Sequence, residues 1–237
     1  KFISTGIYKL PKSFFKIIEE LSKKGIYSIT ECVQKLMEKG EKINTILAED
    51  WMDIVYPWDL IIVNEIMISK IGSSKGGIID KNVEIKGNVN IGKDSKIHSG
   101  SYIVGPVVIG KGCEIGPNAC IFPSTSIGDN SVIYPFTEIR NSVIGSECHL
   151  GSNSFIENSV IGRGSILKHN FSSTSGDNTI KIENEFKELN NIGALIGEDC
   201  TVESHVVVDP GVIIGRKCRI EPMKRIRKNI ESSSKVM

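Results

Sequence analysis

The sequence lacks the features that mark membrane-spanning, nucleic-acid-binding and disulfide-rich proteins. No apolar run approaches the ~18 residues of a membrane span, and a net charge of +1 over 237 residues leaves no basic excess for nucleic acid. Aromatic residues make up only 6%, yet the hydrophobic content of 40% is too high for a disordered chain. The six cysteines include no C-x-x-C pair, and no signal peptide precedes them. We therefore expect a soluble, reduced, cytoplasmic protein that binds neither membranes nor nucleic acid.

The first 70 residues show helical periodicity but too few apolar positions for a core of their own. Helices are predicted from Pro11 to Gly25, after the capping box Ser28–Glu31, and from Pro57 to about Ser69, with a strand over 42–47. The predicted inward residues are Phe14, Ile17, Ile18 and Leu21 in the first helix and Val33, Leu36 and Met37 in the second. Because the chain also begins at Lys1 rather than methionine, we expect this region to be the end of a larger α/β domain.

From Ile79 onward the period of the hydrophobic pattern is six. Isoleucine recurs at every sixth position, at Ile79, Ile85, Ile91, Ile97, Ile103, Ile109, Ile115, Ile121, Ile127, Ile133 and Ile139. Small residues follow four positions later, at Val83, Val89, Ser95, Ser101, Val107, Cys113, Ala119, Thr125, Ser131 and Thr137. A fixed short period is typical of stacked repeats that bury each other's apolar faces. The spacing predicts a β-solenoid in which the isoleucine and the small residue of each hexad point inward.

The ladder of hexads is interrupted in two ways. Five-residue steps lead to Ile144 and Ile161, which we interpret as one-residue deletions in turns. Over 168–193 the repeat gives way to a polar insertion with a predicted strand at 179–183, and it resumes at Ile196. Long ordered insertions tend to be functional, so this segment is the first candidate for a site. The predicted domains are 1–70, then 77–222 with the insertion at 168–193, and a C-terminal tail over 223–237.

The hexads resemble those of the left-handed β-helix hexapeptide-repeat family, most of whose members are acyl- and acetyltransferases. The upstream stretches Ser4–Leu10, Ser28–Glu31 and Trp51–Leu60 resemble the end of a sugar-1-phosphate nucleotidylyltransferase domain. Together they are similar to the bifunctional N-acetylglucosamine-1-phosphate uridylyltransferase/glucosamine-1-phosphate acetyltransferases, particularly the archaeal ones. The resemblance implies a mainly β fold, a left-handed parallel β-helix preceded by an α/β fragment, and assembly as a homotrimer or higher homo-oligomer.

For the solenoid, the resemblance implies transfer of an acetyl group from acetyl-CoA to a hexosamine-1-phosphate. Gly164–His169, followed by Gly176-Asp177, looks like the family's sequence around its catalytic histidine, so His169 is the candidate general base. An imidazole suits this role because it titrates near neutral pH. The family's tyrosine and lysines are not matched, Phe171 being the nearest residue to the tyrosine. The other interpretation of His169 is a polar loop residue hydrogen-bonded to its neighbours.

The coils that resemble the family's CoA groove contain four candidate cofactor-binding residues. They are Ala194, Gly197, Gly211 and Gly215. Glycine also has an ordinary role in turns, where a side chain would be strained. Both interpretations stay open for the three glycines.

The nucleotidylyltransferase resemblance implies Mg²⁺ chemistry, with Asp53 at the position of a metal ligand. The Gly-rich phosphate loop is absent from these 237 residues, so we do not expect nucleotidyl transfer by this chain alone. His98 and His149 are expected on the surface, and His205 is expected to be structural.

Three functions remain open from the sequence. The first is acetyl transfer to a hexosamine-1-phosphate. The second is a non-catalytic solenoid that trimerises or regulates a nucleotidylyltransferase. The third is transfer to a different acceptor, which the replaced insertion would permit.

Overall fold

A computed structural model describes residues 4–49, 51–182 and 185–237. The chain forms two compact units, Lys1–Asp53 and Ile54–Met237. This division differs from the predicted boundary at residue 70, because the third helix, α3 (Asp59–Ser69), packs on the solenoid. None of the helices in the described ranges combines the length and apolar character needed to cross a bilayer.

The first unit is built around two helices, α1 (Phe14–Ser22) and α2 (Ile29–Glu38). The side chain of Ser28 accepts a hydrogen bond from the Glu31 N–H, so the predicted cap is present. The buried residues of this unit are Phe14, Ile17, Leu21, Cys32 and Leu36.

Two predicted core positions and one predicted strand in the first unit were wrong. Ile18 is 39% exposed and Met37 is 59% exposed, and Cys32 fills the inner face of α2 instead. Residues 42–47 form neither helix nor strand, and all of them are exposed. A strand needs a partner for its backbone N–H and C=O groups, and none of the described residues pairs with this segment.

The second unit is a solenoid of three parallel sheets, because successive hexads turn the chain from one sheet to the next. Sheet A comprises Ser74–Lys75, Val89–Ile91, Val107–Ile109, Thr125–Ile127, Val143–Ile144, Val160–Ile161, Leu195–Ile196 and Ile213–Ile214. Sheet B comprises Ile78–Ile79, Lys96–Ile97, Glu114–Ile115, Val132–Ile133, His149–Leu150, Ile166–Leu167, Thr201–Val202, Arg219–Ile220 and Lys235–Val236. Sheet C comprises Glu84–Lys86, Tyr102–Val104, Cys120–Ile121, Glu138–Arg140, Phe155–Glu157, Ser172–Ser173, Val207–Val208 and Arg225–Ile226.

The predicted inward ladder is confirmed. Every ladder isoleucine from Ile91 to Ile139 is buried, and the small residues from Val89 to Thr137 are buried with them. Ile79 and Ile85 are only partly buried, because they lie in the first coil of the stack. The register pairs isoleucine with isoleucine across neighbouring coils, as in Ile97↔Ile115.

The three sheets form the faces of a triangular prism. At one of its corners, buried hydroxyl and thiol groups donate hydrogen bonds to glycine carbonyls of the next coil. Ser95 Oγ donates to the Gly110 carbonyl of the next coil (2.7 Å), and Cys113 Sγ donates to Gly128 O (3.1 Å). Cys148 makes the equivalent bond, and burial raises the pKa of its thiol to about 11. Both cysteines therefore pack inside, as predicted for Cys113, with little thiolate at neutral pH.

The two predicted deletions are absorbed in turns between sheets C and A. Asn141 and Asn158 take φ angles of 38° and 44° there, a left-handed conformation that asparagine tolerates. Ser142 and Ser159 then return to the inward small position, and both are fully buried. The shortening of these coils thus stays local.

The insertion begins later than predicted. Phe171 and Ser173 are both fully buried, so the repeat continues through residue 173 rather than ending at 168. Ser173 pairs with Ile156 at a position where other coils carry a large aliphatic residue, and Phe171 replaces a small residue nearby. This exchange of a large and a small side chain conserves the filled volume.

The insertion is an antiparallel hairpin of strands Gly176–Ile182 and Glu185–Ile192. The predicted strand over 179–183 lies within the first of them, except Glu183, which is outside the described residues. Ile180, Leu189 and Ile192 pack with Trp58 and Ile61. The outer face of sheet A completes this cluster through Val160 and Leu195. The hairpin and α3 therefore cover the apolar outer face of sheet A.

Residues 223–237 differ from the predicted tail, because they continue the solenoid. Arg225–Ile226 extends sheet C and Lys235–Val236 extends sheet B. Ile226 is buried at the end of the aliphatic column.

We predict that Leu167→Ala lowers the free energy of unfolding of the solenoid by about 2–5 kcal/mol, because Leu167 is 0% exposed. Its neighbour Ile166 points outward and is 40% exposed, so Ile166→Ala is the matched control, with an expected loss of under ~1 kcal/mol. Denaturant unfolding followed by circular dichroism measures both. Equal losses would contradict the inward assignment.

Candidate active site

His169 lies on a regular turn between sheets B and C. It follows Leu167 by two residues, stacks beneath Ser152 of the preceding coil, and is exposed. The hairpin leaves from sheet C and returns to sheet A, at a different corner of the prism. The sequence pattern placed His169 within the long insertion. In the structure the histidine and the hairpin lie at different corners of the solenoid.

The imidazole of His169 is oriented by the backbone. Its Nδ1 accepts a hydrogen bond from the Ser152 N–H at 3.1 Å. A ring nitrogen that accepts cannot carry the proton, so a neutral His169 has its proton on Nε2. Nε2 is thus a donor in this arrangement, and the role of His169 as a general base, which needs the proton on Nδ1 instead, stays a prediction.

Tyr134 lies between His169 and a second histidine, His149, on the outer face of sheet B. The ring of Tyr134 lies 6.4 Å from that of His169 in an edge-on arrangement and 6.4 Å from that of His149. Sequence reasoning assigned His149 to the surface and did not consider Tyr134. The seventeen-residue register that pairs Val132 with His149 was the signal that would have placed them together.

A network of charges continues down the same face. Lys168 Nζ lies 2.8 Å from Glu203 Oε2, and Arg219 lies 3.8 Å from the other oxygen of Glu203. Arg219 also contacts Glu221, which pairs with Lys235. Lys168 is therefore held beside His169, with its charge balanced by Glu203.

The predicted cofactor residues fall into two groups. Ala194 is fully buried, its N–H donates to Ser159 and Ser173, and its carbonyl accepts from Val160. Both of its backbone polar groups are used inside the solenoid, so we withdraw Ala194 as a cofactor contact.

The three glycines are required by the fold itself. A Cβ on Gly197 would lie 2.6 Å from Arg216 N, and one on Gly215 would lie 2.5 Å from Ser232 N. Gly211 has a φ of +70°, and a Cβ there would lie 2.8 Å from the amide nitrogen of Asn178. Close stacking of coils explains these glycines whether or not a cofactor passes over them.

Among the described residues, Asp53 belongs to no group of metal-ligating side chains. Its side chain is exposed, and within residues 4–49, 51–182 and 185–237 no three His, Cys, Asp or Glu side chains are grouped to hold a metal ion. A single carboxylate holds Mg²⁺ only together with other oxygen ligands, such as substrate phosphates and waters, which complete its near-octahedral coordination. We derive no step through this ion.

The remaining histidines lie outside this cluster. His98 is clamped between Asp80 (3.3 Å) and Glu114 (2.8 Å) near the start of the solenoid. His205 occupies a turn with a φ of 59° and lines a shallow hollow of about 320 Å³ with Asn170, Met223 and Lys224.

We expect Gly197→Ala to destabilise the solenoid, because the new Cβ would collide with the backbone of the next coil. Overpacking of this kind costs roughly 1–3 kcal/mol. Gly72→Ala is the control, since a Cβ there meets no atom within 4 Å. Thermal unfolding measures the stability of both variants. An unchanged melting temperature for Gly197→Ala would contradict the close packing of Gly197 against the next coil.

Two family models match the solenoid. Residues 103–180 match the GMPPB C-terminal domain, and residues 193–228 match the bacterial transferase hexapeptide (six repeats). Together with the three parallel sheets, they confirm the predicted fold class, a left-handed parallel β-helix.

Relatives cover nearly the whole chain. A bifunctional sugar-1-phosphate nucleotidylyltransferase/acetyltransferase of Sulfurisphaera tokodaii is 33% identical over 96% of this chain. A bifunctional protein GlmU of Methanococcus maripaludis (strain C5) is 34% identical over 98%. This chain spans 59% of the length of each. Among solved structures, LpxA from Acinetobacter baumannii is 19% identical over 66% of this chain and 67% of its own, with a TM-score of 0.36.

Proposed function

This chain is a relative of the archaeal bifunctional sugar-1-phosphate nucleotidylyltransferase/acetyltransferases, and from that premise we propose that its solenoid transfers acetyl from acetyl-CoA to the amine of a hexosamine-1-phosphate. The observation that carries the proposal is similarity over 96% of the chain to a protein named a bifunctional sugar-1-phosphate nucleotidylyltransferase/acetyltransferase. The cluster of His169, His149 and Tyr134 supports it, because acyl transfer to an amine needs groups that move a proton and stabilise an oxyanion.

Assembly from neighbouring rods is part of the proposal. The outer face of sheet A is covered by α3 and the hairpin, which leaves sheets B and C to meet other copies. Phe136 and Met223 are exposed at the corner between these sheets, and both adopt positive φ (62° and 61°), which is unusual for such large residues. A homotrimer would cover them and would enclose the otherwise open surface around His169.

Sedimentation equilibrium tests this assembly. We expect a trimer at micromolar concentration, because closed symmetry covers the exposed Phe136 and Met223 of each copy without leaving free edges. A monomer at that concentration would contradict the assembly, and Phe136→Ser should weaken it.

The compartment proposed is the cytoplasm. All six cysteines are free, and five of them are buried. Unpaired cysteines are usual in reducing compartments.

A non-catalytic platform for a nucleotidylyltransferase is the second candidate function. The observation that favours it is the Ser152–His169 hydrogen bond, because it leaves the imidazole proton on Nε2, the nitrogen whose lone pair a general base would use. A measurement of turnover distinguishes the catalytic function from the non-catalytic platform.

Release of free CoA from acetyl-CoA in the presence of glucosamine-1-phosphate is the test of acetyl transfer. We expect turnover by the native chain and a fall in kcat of roughly 10²–10⁴-fold for His169→Ala, the usual effect of losing a side chain that transfers a proton in the transition state. His98→Ala is the matched control, because His98 lies on the same sheet near the other end of the rod. No thiol release with any amino sugar phosphate would instead support the platform.

A further inference from the structure

We propose that Tyr134 is a positioning residue for acetyl transfer: its ring holds the imidazole of His169 in one orientation at the corner between sheets B and C. The proposal rests on the acetyl-transfer function above, and it adds a residue that lies two coils away from the candidate histidine. Tyr134 acts through His169 and not through contact with the reacting atoms.

The His169 side chain needs contacts to hold it, because it is exposed on a turn. The backbone of the turn is hydrogen-bonded to both neighbouring coils, through Asn170 N–H to Ser152 O (2.9 Å) and His205 N–H to His169 O (3.0 Å). The imidazole can still rotate about the two side-chain bonds that join it to this backbone. The Ser152 N–H contacts Nδ1 at 3.1 Å, which fixes one atom of the ring but not the tilt of its plane. A second contact is therefore required to hold the plane.

The ring of Tyr134 supplies that contact. Its centroid lies 6.4 Å from that of His169, and the two ring planes meet at 79°. Aromatic rings prefer such an edge-to-face arrangement to direct face-to-face stacking, because the electron-poor edge of one ring meets the electron-rich face of the other. Among the described residues, no other aromatic ring contacts His169. The orientation of the imidazole plane therefore depends on Tyr134.

Gly151 makes the contact across two coils possible. Its coil lies between those of Tyr134 and His169, and the register aligns it with Tyr134 on the outer face of sheet B. Because Gly151 has no side chain, this face is open between the two rings. A Cβ on Gly151 would also lie 2.5 Å from the His169 N. Gly151 therefore both admits the His169 turn and leaves room for the Tyr134 ring.

His149 supports the Tyr134 ring from the other side. The centroids of these two rings also lie 6.4 Å apart, at an interplanar angle of 36°. The Tyr134 N–H donates to the Leu150 carbonyl (2.9 Å), which fixes the backbone from which the ring extends. Within the described part of the chain, the Tyr134 hydroxyl makes no hydrogen bond. The ring, and not the hydroxyl, is therefore the part of Tyr134 that makes these contacts.

A fixed imidazole matters for proton transfer. A group that moves a proton must lie within hydrogen-bond distance of the reacting nitrogen and point towards it. A misplacement of about 1 Å can lower the rate by roughly a hundredfold. Loss of the Tyr134 ring lets the imidazole tilt, so the catalysed step slows while the substrates still bind. The expected signature is a lower kcat at an unchanged KM.

Proton NMR of the full chain with carbon-13-labelled histidine tests the contact without any substrate. The ring protons of His169, assigned by their absence in His169→Ala, are expected to shift in Tyr134→Ala, because an aromatic ring changes the magnetic field at protons beside it. Tyr102→Ala is the matched control, since the Tyr102 ring contacts Phe122 and no histidine among the described residues. His169 signals that stay in place in Tyr134→Ala would overturn the proposal.

Turnover distinguishes the ring of Tyr134 from its hydroxyl. Tyr134→Ala should lower kcat by roughly 10–10²-fold with little change in KM. Tyr134→Phe keeps the ring and removes only the hydroxyl, so its kcat should stay within about twofold of the native value. Tyr102→Ala should match the native chain. A Tyr134→Phe variant as impaired as Tyr134→Ala would mean that the hydroxyl itself takes part, which contradicts the positioning role.

The outcomes separate this proposal from acetyl transfer itself. If the native chain turns over and Tyr134→Ala matches it, the positioning role is wrong and acetyl transfer stands. If the native chain releases no thiol from acetyl-CoA, acetyl transfer is wrong, and the positioning role fails with it even where the NMR contact is present. Tyr134 is 39% exposed, so both variants are expected to fold. Melting temperatures equal to that of the native chain exclude loss of folding as the cause of a lower kcat.

Discussion

The structure depends on the stacking of coils in register, each coil presenting a large aliphatic side chain and a small residue to the same interior column. Because the backbone groups of every coil pair with those of the next, the coils approach to about 4.8 Å, and some corner positions leave no room even for a Cβ. The glycines at one corner and the Ser95–Cys113 series are consequences of this distance. A side chain that is too large for its position would therefore displace the adjacent coils and lower the stability of the stack.

The prism also decides where chemistry can take place. Its interior is filled, so functional groups must lie on outward strand positions or at corners. The outer face of sheet A is apolar and is covered by α3 and the hairpin through Trp58 and Leu189. Sheets B and C and the corner between them keep their polar and aromatic side chains accessible. His149, His169 and Tyr134 lie in that accessible region.

A rigid backbone is useful for orienting imidazoles. The Ser152 N–H points at His169 because the two turns are stacked, and the same stacking fixes the distance. The Ser152 N–H favours the tautomer of His169 that carries its proton on Nε2. The same scaffold leaves His149 between two aliphatic neighbours, with a different hydrogen-bonding environment.

The isoleucine ladder was sufficient to predict the solenoid, its inward residues and the two deletions. In a repeat structure each coil contacts only the coils beside it, so the six-residue spacing alone determines which side chains face inward. Local signals likewise predicted α1 and α2 and the cap at Ser28. Tertiary structure alone decided the rest. The hairpin packs against Trp58 and does not lie beside His169. Phe171 and Ser173 are both buried, with the large and small side chains in exchanged positions, and Ala194 is buried as well. These outcomes depend on contacts between residues far apart in sequence, and on the hydrogen bond that a backbone N–H makes to an imidazole of the next coil, neither of which a one-dimensional pattern contains.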